Sequence, residues 1–95
     1  MKRSWDIIKL ILTIAESHTD KEIKKEEYLR RFMNREPGED SDYEQLLTYN
    51  FKLLKEEGYI SGGTHYELAI GRLSWKGHNL LDDIREATMY ESARG

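Results

Sequence analysis

In the middle of the chain, a segment with helical periodicity passes into a segment with strand periodicity across a single glycine. Over residues 42–57 the apolar side chains recur at the spacing of one helix face: Leu46, Leu47, Phe51 and Leu54. Gly58 follows, a residue type that accepts the left-handed conformation at helix ends. Within residues 66–73, Tyr66, Leu68 and Ile70 then alternate with Glu67 and Ala69, as in a half-buried strand. The sequence therefore predicts a helix followed directly by a two-stranded antiparallel hairpin, formed by residues 59–61 and 68–73.

Three further segments carry the start signals of helices. Ser4 can cap a first helix over residues 5–17. Residues 19–22 form a capping box for a second helix that runs to about residue 34, although residues 21–23 also fit a short strand. A second capping box, Ser41 to Glu44, opens the helix over 42–57, and Ser74 can cap a last helix from residue 75 to about 90.

This order of elements predicts an α+β fold. Three helices, a two-stranded β-hairpin wing and a C-terminal helix follow one another in a winged helix-turn-helix domain, and other small mixed domains share that order. We expect a single winged-helix domain over residues 1–95, with 91–95 frayed. The apolar stripe of the last helix should pack on that of the first, bringing together Trp75, Leu81 and Ile84 with Ile8, Ile11 and Leu12.

Three motifs resemble a known family. The chain starts with MKRSWDII, its centre reads YNFKLLKEEGYI over residues 49–60, and RLSWKGHNLLDDIR occupies residues 72–85. These stretches resemble a family of short bacterial and prophage proteins that is grouped as a domain of unknown function. The resemblance covers the chain except residues 18–42, a region that is longer and more acidic here. It implies a winged-helix fold and a phage-linked setting, and it supplies no catalytic or binding residues.

The residue types present argue against enzymatic chemistry. The chain has no cysteine, and His18, His65 and His78 lack the paired spacing of metal ligands. No phosphate-cradling glycine loop, nucleophile elbow or dinucleotide fingerprint occurs. We therefore predict a non-enzyme without cofactor or metal. No signal peptide and no apolar run of membrane-spanning length are seen, which favours the cytoplasm.

Charge is distributed unevenly along the chain. Residues 1–35 carry nine bases and six acids, whereas residues 36–71 carry two bases and eight acids. Five of those acids precede or begin the third helix and form a predicted protein-binding acidic face: Glu36, Glu39, Asp40, Asp42 and Glu44. Capping and the helix dipole account for one or two of them. Affinity for duplex DNA depends largely on bases that neutralise phosphates, so this acidic end disfavours groove binding.

The third helix also presents a candidate recognition face. Its outward residues are Gln45, Thr48, Tyr49, Lys52 and Lys55. In a winged helix this face enters the DNA major groove, and glutamine and lysine side chains are suitable partners for bases or phosphates. An ordinary solvated face of an amphipathic helix would look the same.

Two functions follow as hypotheses. In the first, a small phage-type module binds a protein with a basic surface through its acidic third-helix face, and one form of this hypothesis is that the face imitates nucleic acid. The alternative is a DNA-binding transcriptional regulator that contacts duplex DNA. We also expect weak pairing of two copies, through the oppositely charged segments or through the terminal helices.

Overall fold

A computed structural model describes residues 4–17, 22–62 and 68–94, with side chains up to residue 87. Helix α1 spans Trp5–Ser17, α2 Lys25–Arg31, α3 Ser41–Glu56 and α4 Trp75–Arg94. The predicted ranges of α1 and α3 are confirmed, whereas α2 is shorter than predicted and α4 is longer. Residues 91–94 lie within the bounds of α4. None of the helices in these ranges is long and apolar enough to cross a membrane.

The predicted α+β fold with a β-hairpin wing is wrong. Within the described ranges the chain is all-helical, and extended segments meet only in two isolated antiparallel bridges, Ile23 with Ile70 and Ile60 with Leu73. The segment after residue 67 divides its hydrogen bonds between two neighbours, because Ile70 exchanges both backbone bonds with Ile23 at 2.9 Å while Ser61 pairs with residues 71 and 72. Neither neighbour forms a strand with it. Residues 63–67, which make up most of the connection between the two predicted strands, lie outside the described residues.

The alternation that predicted a strand has another cause. Leu68 and Ile70 are buried in the common core of the helices, and Ala69 between them is buried as well. Tyr28 of α2 lies completely buried beside this segment and donates its hydroxyl hydrogen to the Leu68 carbonyl at 2.7 Å. Extended chain lying over a helical core can therefore satisfy period-two patterning without a β ladder.

Helix α1 is the centre of the core and contacts both α3 and α4. Its packing on α4 was predicted, and Leu81 is fully buried as expected. Ile84 is only half-buried, and the prediction for Trp75 is wrong, since 84% of its surface is exposed. Ser74 turns the chain here: its hydroxyl bonds the carbonyls of Gly58 and Tyr59, which leaves the next side chain directed away from the core.

A buried asparagine ties the start of α1 to α3. Asn50 is fully buried, and its Oδ1 accepts a hydrogen bond from the Ser4 N–H at 2.9 Å. Its Nδ2 donates to the Leu46 carbonyl within α3. Both polar ends of the side chain are therefore satisfied, which a buried amide requires. The bond between Ser4 and Asn50 holds the beginning of α1, including Trp5, against the C-terminal half of α3.

Candidate interaction surfaces on the third helix

The acidic segment around the start of α3 is folded against two bases of α2 and one base that follows α2. Three of its acids form ion pairs: Arg30 with Glu36 at 3.1 Å, Arg35 with Asp40 at 3.2 Å and Lys25 with Glu44 at 2.7 Å. The bases come from the positive third of the sequence and the acids from the negative middle. The turn between α2 and α3 thus brings three of the eight acids of residues 36–71 against bases of residues 1–35.

Glu44 is the most strongly held of the five acids. Only 14% of its side chain is exposed, and its second carboxylate oxygen accepts the Gly38 N–H at 2.7 Å. The hydrogen bond from Lys25 lowers the pKa of Glu44 below its ordinary value of 4.5, and the Gly38 N–H adds to that effect against the opposing cost of burial. Gly38 has a φ of 82°, a backbone conformation that suits glycine.

Asp40, rather than Ser41, caps α3. Its backbone is extended and its side-chain oxygen accepts the Tyr43 N–H at 3.1 Å, while Ser41 already lies in the helix. The predicted capping box that begins at Ser41 is therefore wrong, and Glu44 accepts the Gly38 N–H of the turn instead. Arg35 completes the arrangement, because its guanidinium stacks on the Tyr43 ring at 3.7 Å and also pairs with Asp40.

Two of the five acids take no part in these contacts. Glu39 and Asp42 are exposed and form no ion pair among the described residues. The available acidic surface at the start of α3 is therefore smaller than the sequence indicates. Three of the predicted acidic-face residues hold the α2–α3 turn together, and two are free to meet a partner.

The predicted recognition face forms one side of a shallow groove, which we call the α3 groove. It has a volume of about 570 Å³ and is lined by Lys25, Gly38, Ser41, Glu44, Gln45, Thr48, Tyr49 and Lys52. The structure thus brings together four of the five predicted residues. Lys55, the fifth, is half-buried and is not part of the groove lining. Tyr49 is 38% exposed, which makes it an accessible aromatic side chain on α3.

Sequence reasoning missed the contribution of α2 to this groove. Lys25 lines it while pairing with Glu44, although in the sequence it was only one of the nine bases of residues 1–35. An interleaved run of acids and bases facing an acidic segment across a Pro-Gly turn is the signal that could have indicated the pairing.

The histidines do not assemble into a site. His78 is exposed on α4, and the other two histidines lie outside the described residues. Across the ranges that the structure describes, no three side chains of the metal-binding types come together.

These features define a small helical module that has an ion-paired turn between α2 and α3 and an open groove along α3. The chain belongs to the family described as "Hypothetical protein (DUF2513)", whose model matches residues 2–94. It is 32% identical over 99 aligned residues to a protein of Haemophilus influenzae described as "Uncharacterized protein", and the match covers 99% of this chain and 76% of that one. No solved structure shows a significant match.

Proposed function

We propose that the protein is a non-enzymatic binding module that contacts a basic surface of another protein through α3. One observation carries the proposal: the exposed Tyr49 ring lies along α3 from Asp42, an acid that forms no ion pair in the described part of the chain. The two residues are seven positions apart, about two helical turns, so they share one side of the helix. An aromatic anchor beside an uncompensated acid suits a basic protein surface.

The chemistry of the groove supports this partner. Tyrosine is enriched among residues that dominate protein interfaces, because it buries a large rigid ring and keeps a hydroxyl for hydrogen bonding. Gln45 and Thr48 line the groove beside it. Glu39 and Asp42 would attract a basic partner during approach and would repel phosphates at the same end of the helix. Imitation of nucleic acid on a nucleic-acid-binding protein is one form of this proposal, and the phage-linked setting implied by the terminal motifs belongs to it.

A second candidate function is binding of duplex DNA. The observation that favours it is the presence of Lys25 and Lys52 in the lining of the α3 groove, next to Gln45. Lysine suits phosphates and glutamine suits adenine. Lys25 is already paired with Glu44, which leaves Lys52 as the main base of the groove. Because one lysine offers little phosphate neutralisation beside two unpaired acids, we place this function second.

Site-specific crosslinking tests the proposal. A photo-crosslinking amino acid replaces Tyr49 in one variant and Glu86, an exposed residue of α4, in a matched control. Illumination in bacterial lysate treated with nuclease should give a discrete protein adduct from position 49 and not from position 86. The double variant E39Q/D42N should lower the adduct yield severalfold, because it removes the two unpaired charges and keeps the side-chain shapes.

Three results would count against protein binding by α3: no adduct at position 49, the same adducts at both positions, or an adduct yield that is the same with and without E39Q/D42N. The variant leaves Asp40 and Glu44 unchanged, since these acids cap α3 and hold Lys25. Circular dichroism of each variant should match the parent protein and so exclude loss of fold as the cause.

A further inference from the structure

Two cavities meet at Trp5, on a part of the molecule separate from the α3 groove. The larger, of about 570 Å³, lies between the start of α1 and the middle of α4. The smaller, of about 240 Å³, lies between α1, the end of α3 and the residues that follow it. Trp5 and Leu80 line both cavities, so the two adjoin and make up one composite surface. We call it the Trp5 groove, and it shares no lining residue with the α3 groove.

The floor of the Trp5 groove is apolar and partly open to solvent. Trp5 is 52% exposed, and Leu53, Tyr59, Leu80 and Ile84 are half-buried along the two cavities. A concave apolar surface of this kind is where side chains from another molecule can be buried with a gain in free energy. A partly exposed tryptophan at its centre is the residue type that most often dominates such contacts.

The groove is held in a fixed shape by polar contacts around it. The Ser4 N–H bond to Asn50 fixes the helix end that carries Trp5. On the opposite wall, the Lys76 ammonium lies 4.6 Å from the centre of the Tyr59 ring and donates to the Glu57 carbonyl. A partner would therefore meet a largely formed site and lose little free energy in ordering it.

Acids outnumber bases at the rim of the groove. Among the described residues, its ionisable lining residues are the acids Asp6, Glu57 and Asp83 and the base Lys9. Glu57 also lies 3.8 Å from Lys76, which lowers its own contribution. Asp6 and Asp83 are exposed on either side of the larger cavity. An apolar floor between exposed acids complements a helix whose apolar face is flanked by lysine or arginine.

We infer that the Trp5 groove binds a basic amphipathic helix of a partner protein. The apolar residues of that helix would occupy the two cavities on either side of the Trp5 ring, and its flanking bases would face Asp6 and Asp83. This site is independent of the function proposed for α3, since it uses a different surface and a different recognition mode. A partner that engages both surfaces would gain affinity from the second contact.

Two synthetic peptides test the inference. One places leucines along one helix face with lysines at the flanks, and the other replaces every lysine with glutamate. Fluorescence anisotropy with the full chain at physiological ionic strength should show binding of the lysine peptide at least about tenfold tighter than binding of the glutamate peptide. No saturable binding of either peptide, or equal affinities, would overturn the inference.

Adjacent acids of α4 supply a matched pair of variants. Asp83 lines the groove, whereas the equally exposed Asp82 does not. Asp83→Lys should weaken binding of the lysine peptide by about fivefold, while Asp82→Lys should change it by less than about twofold. Equal effects of the two variants would contradict placement in the groove. Asp83 is exposed, so neither variant threatens folding, and both can be compared by circular dichroism.

Two further measurements separate the inference from its alternatives. Leu80→Glu should abolish peptide binding. If Leu80→Glu fails to fold, the comparison of Asp83→Lys with Asp82→Lys still tests the inference. Sedimentation of the free protein addresses a second copy as the occupant: dimer formation that Asp83→Lys or Leu80→Glu removes would assign the groove to self-association and overturn the peptide proposal. Failure here leaves the crosslinking test at Tyr49 unaffected, because the two grooves share no residue.

Discussion

The acidic turn before α3 and the groove around Trp5 differ in how their conspicuous residues are used. The turn and the start of α3 carry five acids, and three of them are paired at 2.7–3.2 Å with bases in or just after α2. The groove carries a half-exposed indole and half-buried aliphatic side chains. Most of the acids that are conspicuous in the sequence thus form ion pairs within the folded chain. The apolar groove around Trp5, which is conspicuous in the structure, has no obvious signature in the sequence.

The comparison shows that the sequence alone does not tell whether a run of acids is free to bind a partner or whether an apolar residue is covered in the fold. A run of acids becomes a binding surface only if the chain brings no bases to it, and here the Pro37–Gly38 turn brings α2 alongside. An apolar residue at the edge of a helix stripe can be core or surface according to how far the next helix reaches over it. Trp5 and Leu80 lie at such an edge.

The largest expected effect is a difference in stability between truncation of a core leucine and truncation of a leucine of the Trp5 groove. Leu81 is fully buried and its neighbour Leu80 is half-buried in the groove wall. Leu81→Ala should lower the free energy of unfolding by about 2–5 kcal/mol, as for other buried leucines. Leu80→Ala should cost about 1 kcal/mol, since less apolar area is lost. Urea denaturation measures both, and equal losses would show that Leu80 is core rather than groove.

The next effect tests which residue caps α3. Asp40→Ala should lower the free energy of unfolding by about 1 kcal/mol, because the Tyr43 N–H loses its acceptor. Ser41→Ala is the matched control and should change stability by less than about 0.5 kcal/mol. Thermal and urea denaturation check both variants. The reverse order would restore Ser41 as the cap and remove one structural role from the acidic turn.

A double-mutant cycle measures the pairing of the turn with α2. Lys25→Met and Glu44→Gln, alone and together, should give a coupling of about 1 kcal/mol at most, the upper end for ion pairs near the surface. The same cycle on Arg30 and Glu36, both more than half exposed, should give a smaller coupling. If both cycles give zero, the ion pairs contribute nothing measurable and the acids of the turn are available to a partner.

The smallest expected effect is a dependence of stability on pH. Lys25 lowers the pKa of Glu44, and a two-pronged hydrogen bond from Arg85 at 2.8 and 2.9 Å lowers the pKa of Glu16, each from an ordinary value of 4.5. A lowered pKa in the folded state stabilises the protein above that ordinary value, and the gain is lost as the pH falls through the folded-state pKa. Unfolding free energies should therefore fall below about pH 4.5, and less steeply in Glu44→Gln.

Helix positions were the part of the fold that could be predicted from the sequence. The ranges of α1 and α3 and the start of α4 follow from local signals, namely apolar periodicity, the serines before α1 and α4, and Gly58 after α3. The wing could not be predicted correctly, because a pattern of residue types does not show whether an extended segment pairs with another strand or lies on a helical core. Whether Ile70 pairs with one long strand or meets Ile23 in a single bridge depends on distant chain.

The sequence could predict which residues of α3 lie on one side of the helix, but not which residues of other segments contact them. Gln45, Thr48, Tyr49 and Lys52 do line one groove, since helical spacing alone places them on one side of α3. The pairing of Lys25 with Glu44 depends on the turn geometry, and the outward direction of Trp75 depends on the Ser74 hydroxyl reaching Gly58. Such contacts form between segments, so periodicity within one segment carries no signal for them.

Titration of duplex DNA with the protein tests the central claim most directly, namely that α3 serves a protein partner rather than phosphate. At physiological salt and micromolar protein, fluorescence anisotropy of labelled duplexes should show no measurable binding, because Glu39 and Asp42 repel phosphates and Lys25 is held by Glu44. The variant E39Q/D42N should bind duplex DNA more readily than the parent protein at low salt. Sequence-selective binding by the parent protein at nanomolar concentration in physiological salt would contradict the claim and establish the DNA-binding function instead.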